Sequence, residues 1–251
     1  MNGPRRATGV ALAGIAVVGT MTVSGPPPQA AAAAPGRELT GAVTIAPGRE
    51  GVVQVAGYAQ AAPAVGSALT LTAPGGSKVT GVPFAGRGYR GAVMSGGSGG
   101  SYTFVEDEGV PGVPAAFPFV LAVASDAVPG TRLRGCVLRL TDARGAVKER
   151  GTCEVTVGLP GPTLTRPESG VPLTERPEVA GTAYPGAQVT VRDALENEVC
   201  ATTAAADGTW SCVPGTALPA GSGRLQATAT LNGVGATSEQ ITITVGPAGR
   251  D

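Results

Sequence analysis

The sequence predicts an all-β protein of two tandem β-sandwich domains behind a signal peptide. Three observations carry that expectation. Apolar residues alternate with polar ones in short runs, as in Ala68-Leu-Thr-Leu-Thr-Ala73 and Ile241-Thr-Ile-Thr-Val245, and no 12-residue window after the N-terminus carries a helical stripe. Gly 40 and Pro 22 make up about a quarter of the 251 residues, yet 42% of the chain is hydrophobic. Many short strands joined by tight turns reconcile the two. Finally, Leu159-Pro-Gly-Pro162 is a stiff break between two alternating blocks.

The N-terminus has Arg5-Arg6, then an apolar run from Ala7 to about Val23, then Pro26-Pro27-Pro28 and the alanines 30–34. Charged start, apolar middle and small-residue cleavage zone are the pattern of a secretory signal. A run of about 17 residues broken by Gly and Thr is short for a membrane span. The expected organisation is a signal peptide at 1–34, a first domain at 35–158, a linker at 159–162, a second domain at 163–246 and a tail at 247–251.

In the first domain, strands are expected around Leu39–Ile45, Gly51–Tyr58, Ala68–Ala73, Ser101–Val105 and Phe117–Val123, about seven or eight in all. Ser95-Gly-Gly-Ser-Gly-Gly100 reads as a flexible loop. Further on, Cys136, Leu138 and Leu140 share one face, as do Cys153, Val155 and Val157. A two-residue turn at Arg144-Gly145 would set Cys136 opposite Cys153.

In the second domain, Val189 and Val191, then Leu225, Ala227, Ala229 and Leu231, then Ile241, Ile243 and Val245 alternate. Val199 to Val213 reads as a β-hairpin turning at Asp207-Gly208. Cys200, Cys212 and the single Trp210 have one parity and could share a face. Domain limits and hairpin geometry favour local bridges, Cys136–Cys153 and Cys200–Cys212. An exported chain without His or Cys-x-x-Cys points to structural disulfides rather than a metal or redox site.

Pro177-Glu-Val-Ala-Gly-Thr-Ala-Tyr-Pro-Gly-Ala-Gln-Val-Thr-Val191, Ala206-Asp-Gly-Thr-Trp-Ser-Cys212 and Leu225-Gln-Ala-Thr-Ala229 together resemble a bacterial immunoglobulin-like domain. The resemblance covers about a third of the chain. It implies a seven-strand sandwich with a structural, spacing or adhesive role, and it brings no catalytic residues. Composition rich in Ala, Gly and Pro and poor in aromatics suggests an actinobacterial source.

Several function classes lose ground on composition. Lys+Arg 18 balance Asp+Glu 18, which gives no basic footprint for nucleic acid. The absence of His removes the commonest general base and zinc ligand. Gly86-Arg-Gly-Tyr-Arg-Gly91 spells a dinucleotide fingerprint but has no helical stripe after it. Glu106-Asp107-Glu108 lacks calcium-loop spacing. Ser77 and Lys78 are adjacent, so on a strand they point to opposite faces and do not pair. Trp210 is expected in the core rather than on a sugar ring.

The expectation is therefore a secreted, non-enzymatic interaction module with no catalytic residues, no cofactor and no metal. Its partner would be an extracellular protein or a cell-wall glycan, with no nucleic acid and no membrane insertion after signal cleavage. Arg87, Tyr89 and Arg90, in the stretch from Arg87 to Gly100, are the expected contact residues, because Tyr and Arg concentrate binding energy at interfaces. A carbohydrate- or peptidoglycan-binding accessory protein is the alternative reading, and a hydrolase of unfamiliar type the next.

Overall fold

Alternation becomes strand throughout. A computed structural model of the chain describes residues 38–57, 64–84, 88–105, 116–168 and 170–246. Every regular element there is a strand, apart from one 3₁₀ turn at Ser95–Gly97. The expected signal peptide, the acidic triplet 106–108 and Arg87 lie outside the described residues.

The first sandwich has ten strands, more than the sequence suggested. They are β1 (Leu39–Ile45), β2 (Glu50–Val55), β3 (Ala68–Thr72), β4 (Ser77–Gly81), β5 (Tyr89–Val93), β6 (Gly99–Phe104), β7 (Phe117–Val123), β8 (Arg132–Leu133), β9 (Val137–Thr141) and β10 (Val147–Val157). The larger sheet runs β1-β10-β9-β3-β6-β5, with β8 beside β10, and the smaller runs β2-β7-β4. Alternate residues of both sheets, among them Leu69, Leu71, Leu138, Val155, Val53, Val55, Phe119 and Leu121, are buried in one core. β1 lies parallel to β10, so the first strand of the domain closes against the last.

The second sandwich comprises β11 (Pro172–Leu173), β12 (Val179–Thr182), β13 (Gln188–Asp193), β14 (Glu198–Thr203), β15 (Thr209–Cys212), β16 (Gly221–Leu231), β17 (Val234–Thr237) and β18 (Ile241–Val245). One sheet runs β11-β18-β16-β13-β14, with β17 beside β16, and the other pairs β12 with β15. Thr163 to Arg166 extends the small sheet, with the Thr163 N–H donating to the Thr182 carbonyl and a bridge between Arg166 and Ala180. A second, separate core forms around Val179, Val189, Val191, Trp210, Leu225, Ala227, Ala229 and Ile243.

Two expectations change here. The Gly/Ser stretch is no flexible loop: a 3₁₀ turn closes a β5–β6 hairpin, and Gly99 and Gly100 are buried strand residues. Small residues are needed there because β6 packs closely on its neighbours; a Cβ on Gly100 would stand 3.2 Å from the Phe119 ring. The stretch from Val199 to Val213 is also no simple hairpin. The chain does turn at Ala205–Gly208, where the Gly208 N–H donates to the Ala205 carbonyl at 2.9 Å. Its two arms, however, join different sheets: Cys200 sits on β14, which pairs with β13, and Cys212 on β15, which pairs with β12. Changing sheets puts Trp210 between the two layers, 4% exposed, rather than at the margin of one.

Both disulfides join the expected partners, Cys136–Cys153 and Cys200–Cys212, and no cysteine is free. The first bridges neighbouring strands. Its register arises differently from the simple turn expected. The turn from Asp142 to Ala146 holds three residues, which shifts the pairing by one, and an irregularity between Val147 and Glu149 shifts it back. Leu138 then faces Gly151, and the same register sets Cys136 opposite Cys153.

Candidate functional site

The hairpin ends carry the shifted carboxyls. Asp142 Oδ1 accepts the N–H groups of Arg144 and Ala146 at 3.0 and 2.9 Å, and Lys148 Nζ stands 3.0 Å from Oδ2. Asp193 repeats the device in the second sandwich, accepting the N–H groups of Leu195 and Asn197 at 2.8 and 2.9 Å. Asp207 accepts both the N–H and the hydroxyl of Thr209, at 2.9 and 2.7 Å. All three are held below the usual carboxylate range: Asp142 mainly by the Lys148 hydrogen bond, Asp193 by the Asn197 side chain, Asp207 by the Thr209 N–H. Each of these bonds holds the geometry of its turn.

A pH dependence follows from these shifts. Because the folded-state values are lowered, the stabilisation is complete above the unfolded aspartate value, about 3.9, and is lost as pH falls through the folded values. Thermal melting between neutral and acid pH should therefore show a falling midpoint only below about pH 4. Replacing all three residues by Asn should flatten that decline.

The two turns differ at their left-handed position. Gly145 occupies it in the first, with φ of 82°, and Glu196 in the second, with φ of 63°. A side chain there is strained, so Glu196→Gly is expected to raise stability by up to about 1 kcal/mol, read as a higher urea midpoint with unchanged slope. A lower midpoint would show that the Glu196 side chain contributes more than the strain removes.

Of the three expected contact residues, Arg87 lies outside the described residues, and the structure corrects the expectation for Tyr89. Tyr89 lies on β5 with 7% of its surface exposed, its ring 5.2 Å from both Phe104 and Phe117. It is a core residue, because the edge of the larger sheet folds its aromatic face over Phe117. Burial raises its phenol above the ordinary value. Arg90, the next residue, points outward and is exposed. Tyr102 is wholly buried, its hydroxyl donating to the Pro118 carbonyl at 2.5 Å and accepting the Phe84 N–H at 3.2 Å. Tyr184 packs against the second core. Among the described tyrosines there is thus no exposed row.

Depressions are also present among the described residues. One, of about 460 Å³, runs along β4 and the end of β7 and includes Ser77, Lys78, Thr80, Ser125 and Asp126. The Ser77 hydroxyl donates to the Pro74 carbonyl at 2.9 Å. Another, of about 170 Å³, is mainly apolar and lies beside Leu195, which is 80% exposed at a hairpin tip. Among the described residues, no group of three or more acidic, Cys or His side chains is placed to hold a metal ion.

Outside the cores, a joint links the two sandwiches. Val157 belongs to the first core and Leu159 to the second. Gly158 alone separates them, and its N–H donates to the Ile45 carbonyl at 2.8 Å. Leu159 lies in the stretch that the sequence marked as a linker. Beyond it, Pro162 is buried, and a Cβ on Gly161 would stand 3.0 Å from the Thr237 carbonyl oxygen of β17. A second contact lies to one side. The Asn232-Gly233 turn between β16 and β17 meets the Pro129-Gly130 turn of the first sandwich, and Asn232 Nδ2 donates to the Pro129 carbonyl at 3.0 Å. Gly130 has φ of 85°, and a Cβ on it would stand 2.5 Å from the Asn232 carbonyl oxygen. The Gly130 N–H donates to the Val157 carbonyl at 2.8 Å, which ties this contact to the end of β10. Sequence reasoning missed the joint; Asn232-Gly233 flanked by Leu231 and Val234 was a legible hairpin signal, but its docking partner lies 103 positions away.

Fold and staples define a class of protein: an all-β chain of two sandwiches, the C-terminal one immunoglobulin-like. Residues 171–246 match the model of the bacterial Ig domain family. Among solved structures, the chain is similar to a biofilm-associated protein BSP domain (19% identity, TM-score 0.30), over 84% of this chain and 30% of that one. It is similar to a tetra-tandem repeat from the extending region of a large adhesion protein (14%, TM-score 0.30), over 82% of this chain and 49% of that one. It is also similar to a cohesin of ScaC from Acetivibrio cellulolyticus, solved with the ScaB dockerin (10%, TM-score 0.33), over 47% of this chain and 98% of that one. The chain thus spans less than a third of the length of the first of these structures. No curated protein matches it.

Proposed function

We propose that this protein is an exported, non-catalytic spacer whose two sandwiches form one stiff unit at a bacterial cell surface and present loops at its ends. The joint carries the reading. A single residue lies between the two cores, the chain beyond it is packed against β17, and the Asn232–Pro129 contact braces one side. Neighbouring domains joined by small interfaces usually move relative to one another. A joint with no slack and a lateral brace opposes that motion, as a spacer requires.

Export is supported by two disulfides that use every cysteine, by the bacterial Ig domain match and by the signal-like N-terminus. The non-catalytic reading is supported by the bacterial Ig domain match at residues 171–246. Small-angle scattering of the oxidised chain tests the spacer. A single narrow distribution of maximum dimension is expected, broadening in Gly130→Ala; a wild-type profile already as broad as the variant's would sink the reading. Fractionating a producing culture tests location, and finding the chain in the cytoplasm would overturn export.

A further inference from the structure

We propose that Asn232 is a spontaneous modification site: its side-chain amide is lost when the joint opens, and the product keeps the joint from closing again. The inference rests on the stiff-joint reading. Asn232 and Gly233 form the two-residue turn between β16 and β17, with φ of 49° and 80°, and both are exposed. Apart from its chain neighbours, no heavy atom lies within 4 Å of where a Cβ on Gly233 would stand, so no other segment packs on that side of the turn.

The chemistry needs only water. The Gly233 backbone nitrogen attacks Cγ of Asn232 and forms a C–N bond. The Cγ–Nδ2 bond breaks, and ammonia leaves with the proton given up by the attacking nitrogen. Water then opens the resulting five-membered imide at either carbonyl, giving aspartate or isoaspartate. One water is consumed, one ammonia released, and nothing is oxidised or reduced.

The joint gates this step. While Nδ2 donates to the Pro129 carbonyl, the side chain is pinned across the interface, and ring closure requires that bond to break. Afterwards a carboxylate, which only accepts hydrogen bonds, faces a carbonyl oxygen that also only accepts. The isoaspartate product in addition carries one more main-chain carbon in a turn that already abuts Gly130. Asn197 supplies an internal comparison: its amide donates to Asp193 within one hairpin, and Glu198 rather than Gly follows it.

The test ages the oxidised chain at mildly alkaline pH and follows peptide masses, isoaspartate content and scattering together. The Asn232 peptide should gain the mass of an NH2-to-OH exchange and split into two products, while the Asn197 peptide stays unchanged. Gly130→Ala should convert faster than wild type, and the aged wild type should scatter like fresh Asn232→Asp, with a broadened maximum dimension. The proposal is overturned by an Asn232 peptide that keeps its amide as long as Asn197 does, by equal rates in Gly130→Ala and wild type, or by conversion without a change in scattering. A fresh wild type already broad in scattering would sink the spacer reading itself. A narrow fresh profile without conversion would sink this inference alone.

Discussion

Replacing Trp210 by Ala is expected to destabilise the second sandwich by about 3–5 kcal/mol, the cost of removing a buried large aromatic and leaving a cavity. Trp210 sits between the layers at 4% exposure, opposite Gly181 on β12. Gly181 is matched to it: a Cβ there would stand 2.9 Å from the indole ring and overlap the Thr163 carbonyl oxygen. No partner is found for the indole Nε1–H among the described residues. Trp210→Phe should therefore cost much less than Trp210→Ala, since it keeps ring packing and removes a donor whose burial is itself unfavourable. Urea unfolding followed by circular dichroism checks both variants. Equal losses for Phe and Ala would show that the indole nitrogen, not ring volume, holds the layers together.

Removing the Cys200–Cys212 bridge, as the double Ala variant, is expected to cost roughly 3 kcal/mol, the chain-entropy value for a short loop. The two cysteines are 12 positions apart and tie one sheet to the other, so their loss acts on the same layer contact as Trp210. Trp210 fluorescence reports this sandwich alone, because it is the only Trp in the chain. In the double variant its midpoint should shift to lower urea. A midpoint that fell only on loss of the Cys136–Cys153 bridge would contradict the separation of the two cores.

Much of this fold was legible residue by residue. Alternation at Leu69–Leu71, Leu138–Leu140, Val189–Val191 and Ile241–Val245 marked both the strands and their inward faces, because a strand's two faces follow sequence parity. Both cysteine pairings were legible as well, since each pair is close in sequence and lies within one alternating block. Tyr89 shows where that reasoning stops. Its neighbours in sequence are Gly and Arg, which suggest an exposed turn, whereas its neighbours in space are Phe104 and Phe117. Gly99 and Gly100 misled for a related reason: Gly signals freedom in an isolated chain, but inside a sheet it also permits close approach.

By itself, then, the sequence determined the class, the strand faces and the staples, all of which rest on period-two patterning and short separations. Only the tertiary structure decided that β14 and β15 belong to different sheets, that β1 closes against β10, and that Asn232 meets Pro129. Those choices depend on which distant surfaces fit once both cores have formed. Local pattern is silent on such pairings, because strands of the same alternation can pair with many partners, and packing selects among them.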